Sequence, residues 1–278
     1  MPKARSIYIF GEPQSGKSVI MKRWILCIGL GIWILVSGCG TPGRNTLFQT
    51  STIDALLAGV YDGDLSCADL LKHGDFGIGT FDRVDGEMVV LDGIIYQVKA
   101  DGKVYKPDAN CTTPFATICH FNPEKTVSID TSMDYKRLER LIDAAAPNQN
   151  LFCAMRITGQ FRSMKTRSVP AQKRPYPPLK EVTNNQPEFD MNNVFGTIVG
   201  FRCPPYVNGI NVPGYHLHFI NGDQTRGGHV LSFEMITGRC DIDILDQFFL
   251  RLPDTKDFAE VDLSRDRNKE LKDVEQGK

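Results

Sequence analysis

The sequence has 278 residues, 41% hydrophobic and 23% charged, with a formal net charge of -1. That length suits one large or two small domains, and the composition is that of an ordinary globular protein. The near-neutral balance carries no footprint for nucleic acid.

In chain order, the first motif is Gly11-Glu12-Pro13-Gln14-Ser15-Gly16-Lys17-Ser18, which satisfies the phosphate-loop pattern G-x-x-x-x-G-K-S. That pattern needs an α/β nucleotide domain around it. Instead, Lys22-Arg23 precede an apolar run from Trp24 to Val36, too short to span a bilayer comfortably and suited to a secretory signal. Met21-Lys22-Arg23 is itself a normal signal start, so the translation of residues 1–20 stays open. The run ends in Leu35-Val36-Ser37-Gly38-Cys39, which resembles the lipobox of bacterial lipoproteins. That resemblance implies cleavage before Cys39, lipidation of its sulfur, and an exported protein anchored at the bacterial cell envelope. A soluble signal peptide cut elsewhere, or an uncleaved anchor, are the alternatives.

Residues 39–50 read as a tether. Thr52 to Val60 predicts a short helix capped by Thr52, and Asp69 to His73 a helical turn stopped by Gly74. The period then changes. Phe76 to Val84, Glu87 to Leu91, Ile94 to Lys99 and Lys103 to Lys106 are strand-like, joined at Asp85-Gly86, Asp92-Gly93 and Asp101-Gly102. Asp-Gly between strand-like runs signals tight hairpins in which both central residues take positive φ, so an antiparallel meander is expected. Pro114 to Phe121 and Thr126 to Ile129 continue the strands. Tyr135 to Ala145 predicts a helix with Leu138, Leu141, Ile142 and Ala145 on one face. Leu151 to Gly159 and Val194 to Arg202 read as strands, with an extended, proline-rich Pro170 to Pro178 between them. Ile242 to Leu252 is strand-like, and the tail from Asp254 is highly charged.

Three of the five histidines fall between His216 and His229. Tyr215, Leu217 and Phe219 alternate with His216, His218 and Ile220, the period of a strand with one apolar face. His216 and His218 then share a face. Asn221 to Gly228 is turn chemistry, and His229 to Phe233 reads as a returning strand. A hairpin symmetric about its loop sets His229 opposite His218. Three imidazoles on one face match a three-ligand zinc site with open positions; the plain alternative is three ordinary histidines on a sheet. Of the eight cysteines, Cys27 lies in the signal and Cys39 at the lipobox. Cys67, Cys111, Cys119, Cys153, Cys203 and Cys240 remain, with about fifteen pairings open. None sits in a C-x-x-C pair.

By pattern alone, Glu87 reads as a solvated edge residue, Arg167 as part of a basic loop, and Glu275 as a frayed tail. However, Gly77-Ile78-Gly79-Thr80-Phe81, Asp85-Gly86-Glu87-Met88, Leu91-Asp92-Gly93, Arg167-Ser168-Val169-Pro170 and the three histidines occur in an order that resembles bacterial α-acetolactate decarboxylase, from about Thr46 to the C-terminus. The resemblance implies zinc on His216, His218 and His229, active-site roles for Glu87, Arg167 and Glu275, and a pocket position for Thr80. It implies decarboxylation of 2-acetolactate to acetoin and CO2, with zinc chelating the substrate hydroxyl and ketone and stabilising the enediolate. The export signal departs from the many cytoplasmic relatives.

The expected fold is α+β, with two sheet-based, mostly antiparallel domains, a few helices, and the metal site between them. The expected divisions are a signal at 1–38, a tether at 39–50, and domains at 51–185 and 186–278. The partner is a small-molecule substrate, with membrane contact only through a lipid anchor and a homodimer left open. Two other readings compete: a cupin-like metalloenzyme of other specificity, and a non-enzymatic zinc-binding lipoprotein. Gly222 and Asp223, where a cupin normally carries a glutamate ligand, count against the first.

Overall fold

The computed structural model describes residues 45–276. The phosphate-loop pattern at Gly11–Ser18, the signal and Cys39 lie outside them. In chain order the elements are β1 (Thr46–Thr50), α1 (Ile53–Leu57), β2 (Leu65–Ser66), α2 (Cys67–Leu70), β3 (Phe76–Thr80), β4 (Glu87–Leu91), β5 (Ile94–Val98), β6 (Val104–Tyr105), β7 (Thr112–Thr113), β8 (Ala116–Cys119), β9 (Lys125–Ile129), β10 (Met133–Asp134) and α3 (Tyr135–Ala145). Then follow β11 (Phe152–Arg167), α4 (Leu179–Thr183), β12 (Glu188–Cys203), β13 (Gly214–Asn221), β14 (Gly227–Leu245), β15 (Gln247–Arg251), α5 (Lys256–Glu260) and α6 (Asn268–Gln276).

One sheet has seven strands in the order β15-β1-β8-β3-β4-β5-β6, antiparallel throughout except for the parallel β1–β15 pair. It contains the expected meander. At Asp92-Gly93 both residues take positive φ, 51° and 75°, as the tight turn requires. At Asp85-Gly86 only the glycine does, because Asp85 has φ -72°. The strand expected over Phe76–Val84 stops at Thr80. Arg83 and Val84 turn the chain with φ of 64° and 49°, which drops the Val84 side chain into the core beside Ile53 and Leu57.

Of the tether expected at 39–50, residues 46–50 are corrected by β1, and 39–44 lie outside the described residues. Thr46–Thr50 is an inner strand between β15 and β8, and Phe48 is fully buried, stacked 3.8 Å from the His73 ring. Burying Leu47 and Phe48 against partners far along the chain outweighs the polar look of the residues before them.

The second sheet runs β10-β14-β11-β12-β13, and β14 also pairs with β13 and β9. The β14–β11–β12–β13 path therefore closes on itself as a barrel. Its interior is filled rather than open: Phe161 meets Phe219 and Phe233 edge-to-face at 5.4 and 5.7 Å, with Leu217 and Met164 in the same cluster. Helix α3 adds Leu138 and Ile142, and Asp134 caps it by accepting from the Arg137 N–H. Strands β11, β12 and β14 are longer than their apolar runs suggested, because barrel neighbours pair their polar ends as well. The expected division at 185/186 falls inside this sheet, since β11 and β12 pair from Cys153 opposite Arg202 to Arg167 opposite Glu188. The C-terminal β15 returns to the first sheet, which therefore draws strands from both ends of the described chain. Phe76, Ile78 and Val89 pack on Val199, Phe201 and Ile220 where the sheets meet.

Candidate functional site

The histidine hairpin forms as its periodicity predicts. His218 lies opposite His229 in the β13–β14 register, and His216 is two residues along on the same face of β13. Leu217 and Phe219, on the other face, fill the barrel. The three imidazoles thus point outward from the barrel wall, toward the first sheet. Their ring centroids are 5.0 to 5.4 Å apart, and one ligand nitrogen from each lies within 4.8 Å of the others. Gly228, with φ 133°, sets the start of β14: a Cβ there would sit 2.4 Å from the Arg167 carbonyl oxygen. This close approach pairs His229 with Arg167 on β11 as well as with His218.

All three rings are buried, with residue exposures of 8% or less. Burial pushes His216 down to about 3 and the other two well below the usual histidine range, with the Arg167 charge adding to the effect. The rings are therefore neutral, the state a metal ligand needs. His218 Nδ1 lies 2.8 Å from the Met88 carbonyl oxygen of β4, which makes Nδ1 the donor in a neutral ring. Its Nε2 is then a buried acceptor, and it has no hydrogen-bond partner. An orphaned buried acceptor is costly, and a cation shared with His216 and His229 would satisfy it. The donor set fits a metal ion.

Both acids and the arginine expected from sequence reach the same cavity, and Thr80 lines it. Glu87 begins β4, opposite Thr80, and its Oε2 is 3.5 Å from His218 Nε2. Glu275 sits near the end of α6, with its Oε2 3.7 Å from His229 Nε2 and 3.9 Å from His216 Nε2. Against neutral rings these contacts are not ion pairs. Burial raises both carboxyls to about 7; the Arg167 charge opposes this in each case, and Glu275 adds to it at Glu87. A divalent cation at the histidines would pull both back down. Arg167 ends β11, with Nη1 donating to Gln186 Oε1 at 2.8 Å and lying 4.0 Å from Glu87 Oε1. Its Nε is buried without a partner. The Thr80 hydroxyl donates to the Gly86 carbonyl at 2.7 Å, so it also braces the turn that carries Glu87.

The tail reaches the cavity because α6 has an apolar side. Leu271 and Val274 are buried beside Ile53, Leu57, Leu179 and Val182 of α1 and α4, and Lys180 bonds Asp273 at 2.6 Å. Sequence reasoning missed Gln186, which looks like any polar loop residue, and the Met88 carbonyl, which no side-chain pattern marks. It also missed the apolar wall of Val84, Phe115, Val169 and Leu179. The alternating strands could have pointed to Phe115 alone.

A buried cavity that combines titratable groups, a fixed cation and an apolar wall belongs to an enzyme acting on a small molecule. Comparison with known proteins narrows that class. The model of the family described as alpha-acetolactate decarboxylase matches residues 47–265. The chain is 46% identical over 241 residues to the alpha-acetolactate decarboxylase of Methanosarcina mazei, covering 87% of this chain and 84% of that one. It is 42% identical over 246 residues to that of Bacillus subtilis strain 168, covering 88% and 95%. The crystal structure of alpha-acetolactate decarboxylase from the same strain matches with a TM-score of 0.81 at 40% identity, over 84% of this chain and all of that one. The chain belongs to the alpha-acetolactate decarboxylase family and is a carboxy-lyase. The family match ends before Glu275, whose position rests on the packing of α6.

Proposed function

We propose that the chain converts 2-acetolactate to acetoin and CO2 with a zinc ion held by His216, His218 and His229. The observation that carries this reading is the convergence of three neutral buried imidazoles, one with an unpartnered Nε2, beside a buried guanidinium and two buried carboxyls. Three histidines leaving open positions suit catalytic zinc. Bound there, zinc would supply Lewis-acid chemistry, drawing electron density from substrate oxygens.

The remaining work falls to the chain's own side chains. The substrate carries a carboxylate and a hydroxyl on one carbon, beside a ketone. Arg167 offers a buried Nε without a partner and a permanent charge at the cavity, which suits the carboxylate or an adjacent oxygen. Gln186 fixes the orientation of that guanidinium. Val84, Phe115, Val169, Leu179 and Val274 face the cavity with apolar groups, which keep water out and accept methyl groups. When CO2 leaves, the electron pair left on carbon must be protonated to give acetoin. Glu87 and Glu275 are the carboxyls that reach the histidine cluster, with burial raising both and a bound cation lowering them, and either is placed to carry that proton. Thr80 supports Glu87 and contributes a hydroxyl oxygen to the wall.

Family membership removes the cupin-like and non-enzymatic readings. We also propose export and lipid anchoring through Cys39, on the strength of the lipobox pattern. The function is tested by acetoin release from 2-acetolactate before chelation, after it, and after zinc is restored. Loss followed by recovery is expected; full turnover in zinc-free protein refutes the proposal.

A further inference from the structure

Strands β2 and β7 form a two-stranded ladder, with Leu65 opposite Thr113 and Ser66 opposite Thr112. One step further, the register sets Cys67 opposite Cys111. The backbone keeps to it, since the Cys67 N–H donates to the Cys111 carbonyl at 2.8 Å. Directly opposed residues of an antiparallel pair have Cα atoms about 4.5–5.5 Å apart, within the span of about 4.4–6.8 Å that a disulfide bridges. Both residues are free thiols in this structure, Cys67 buried and Cys111 half-buried against the same core cluster. Among the described residues no other cysteine stands directly opposite a second one in a strand pairing, although Cys153 lies near enough to Cys119, Cys203 and Cys240 to act on them electrostatically. Cys119 lies opposite Phe76, Cys153 opposite Arg202 and Ile244, Cys203 opposite Gly214, and Cys240 opposite Ile157 and Val127.

We propose that Cys67 and Cys111 are a disulfide site, closed by thiol–disulfide exchange with a disulfide-bonded oxidant such as an oxidoreductase disulfide or oxidised glutathione. Cys111 enters first, because it is the more accessible thiol. Its thiolate attacks one sulfur of the oxidant, forms a mixed disulfide and releases one thiolate. Cys67 then attacks the Cys111 sulfur and releases the second. Two protons and two electrons leave the cysteine pair, and the oxidant is reduced to two thiols. Burial pushes the Cys67 thiol up to about 12, which keeps it from entering first and makes its attack on the Cys111 sulfur the slower step.

The bond closes the chain from residue 67 to residue 111 and pins the exposed stretch at 108–110 to the start of α2. It also anchors β7, where the Thr113 hydroxyl bonds the Thr80 carbonyl at 2.8 Å, two residues before the cavity wall at Phe115. A chain that meets an oxidising compartment would gain this staple outside its active site.

The test uses the purified full chain and does not depend on export. Protein incubated with oxidised glutathione is denatured, alkylated, digested without reduction and mapped by mass spectrometry. A peptide pair linked through Cys67 and Cys111 is expected, with Cys119, Cys153, Cys203 and Cys240 alkylated. The oxidised protein should melt about 5 °C or more above the reduced one. Cys111→Ser should abolish both the link and the shift while keeping the turnover of the reduced wild type, which shows that the variant folds. Alkylation of Cys67 and Cys111 after oxidation, linkage to other partners, or the same oxidant response in Cys111→Ser overturns the proposal.

Discussion

Replacing Glu275 by Gln isolates the chemical part that α6 plays. Cutting the tail does not. Removing residues 274–278 also deletes Val274, which is 1% exposed in the cluster with Ile53, Leu57 and Leu179. Burying a valine is worth about 1.5–3 kcal/mol, so that truncation should lower the melting temperature by roughly 4–8 °C and blur any effect on rate. Glu275→Gln keeps the α6 packing and the side-chain shape but cannot exchange a proton. Its carboxyl lies 3.7 and 3.9 Å from His229 and His216 Nε2, within reach of anything held by those rings. Losing a general acid so placed should slow turnover about 10²-fold, or about 2.7 kcal/mol on the barrier. Acetoin release under saturating substrate reads the rate, thermal melting reads the fold, and elemental analysis reads the metal. Little change in melting or metal is expected. Full turnover by Glu275→Gln would refute the assignment and leave Glu87 as the proton donor.

Arg167→Ala should retain metal and lose turnover about 10²-fold or more; loss of metal or unfolding without a separate catalytic defect would make Arg167 structural. Asp243 is fully buried, with Oδ1 unpartnered and Oδ2 accepting from the Asn122 N–H at 2.7 Å, and burial pushes its carboxyl up to about 6. The folded state therefore holds that proton more tightly than the unfolded state does, so its penalty is absent below about pH 4, grows as pH rises, and is complete above about pH 6. Asp243→Asn should stabilise the protein by at most about 3 kcal/mol at pH 8 and not at pH 4; an equal change in melting temperature at both pH values would contradict this. Mass spectrometry of the membrane fraction should find a lipid on Cys39, and Cys39→Ala should release the protein; a mature N-terminus at Met1 would defeat the export proposal.

The site was more legible than the fold. Strand periodicity depends on neighbours along the chain, and the stretch Tyr215–Phe233 carries enough of it to place His216 and His218 on one face and His229 opposite. Leu271 and Val274 are the two apolar residues of α6, and they are the residues that hold it. What failed depended on distant partners. The five residues of β1 are too few to show a period, and β1 is a strand because β15 lies about 200 residues away beside it. Closure of the barrel through β13 and β14, and the joining of β11 to β12 across the expected boundary, are likewise settled by pairing rather than by local pattern. Gln186 and the Met88 carbonyl act on Arg167 and His218 through single contacts that leave no trace in spacing.

The central claim is that the three histidines hold the metal on which turnover depends. It is tested most directly by zinc content per chain in the wild type and in His216→Ala, His218→Ala and His229→Ala, with acetoin release measured on the same samples. The account predicts about one zinc per wild-type chain, and joint loss of zinc and activity in each variant whose melting curve still shows a folded protein. A folded variant that keeps both full zinc and full turnover would contradict it.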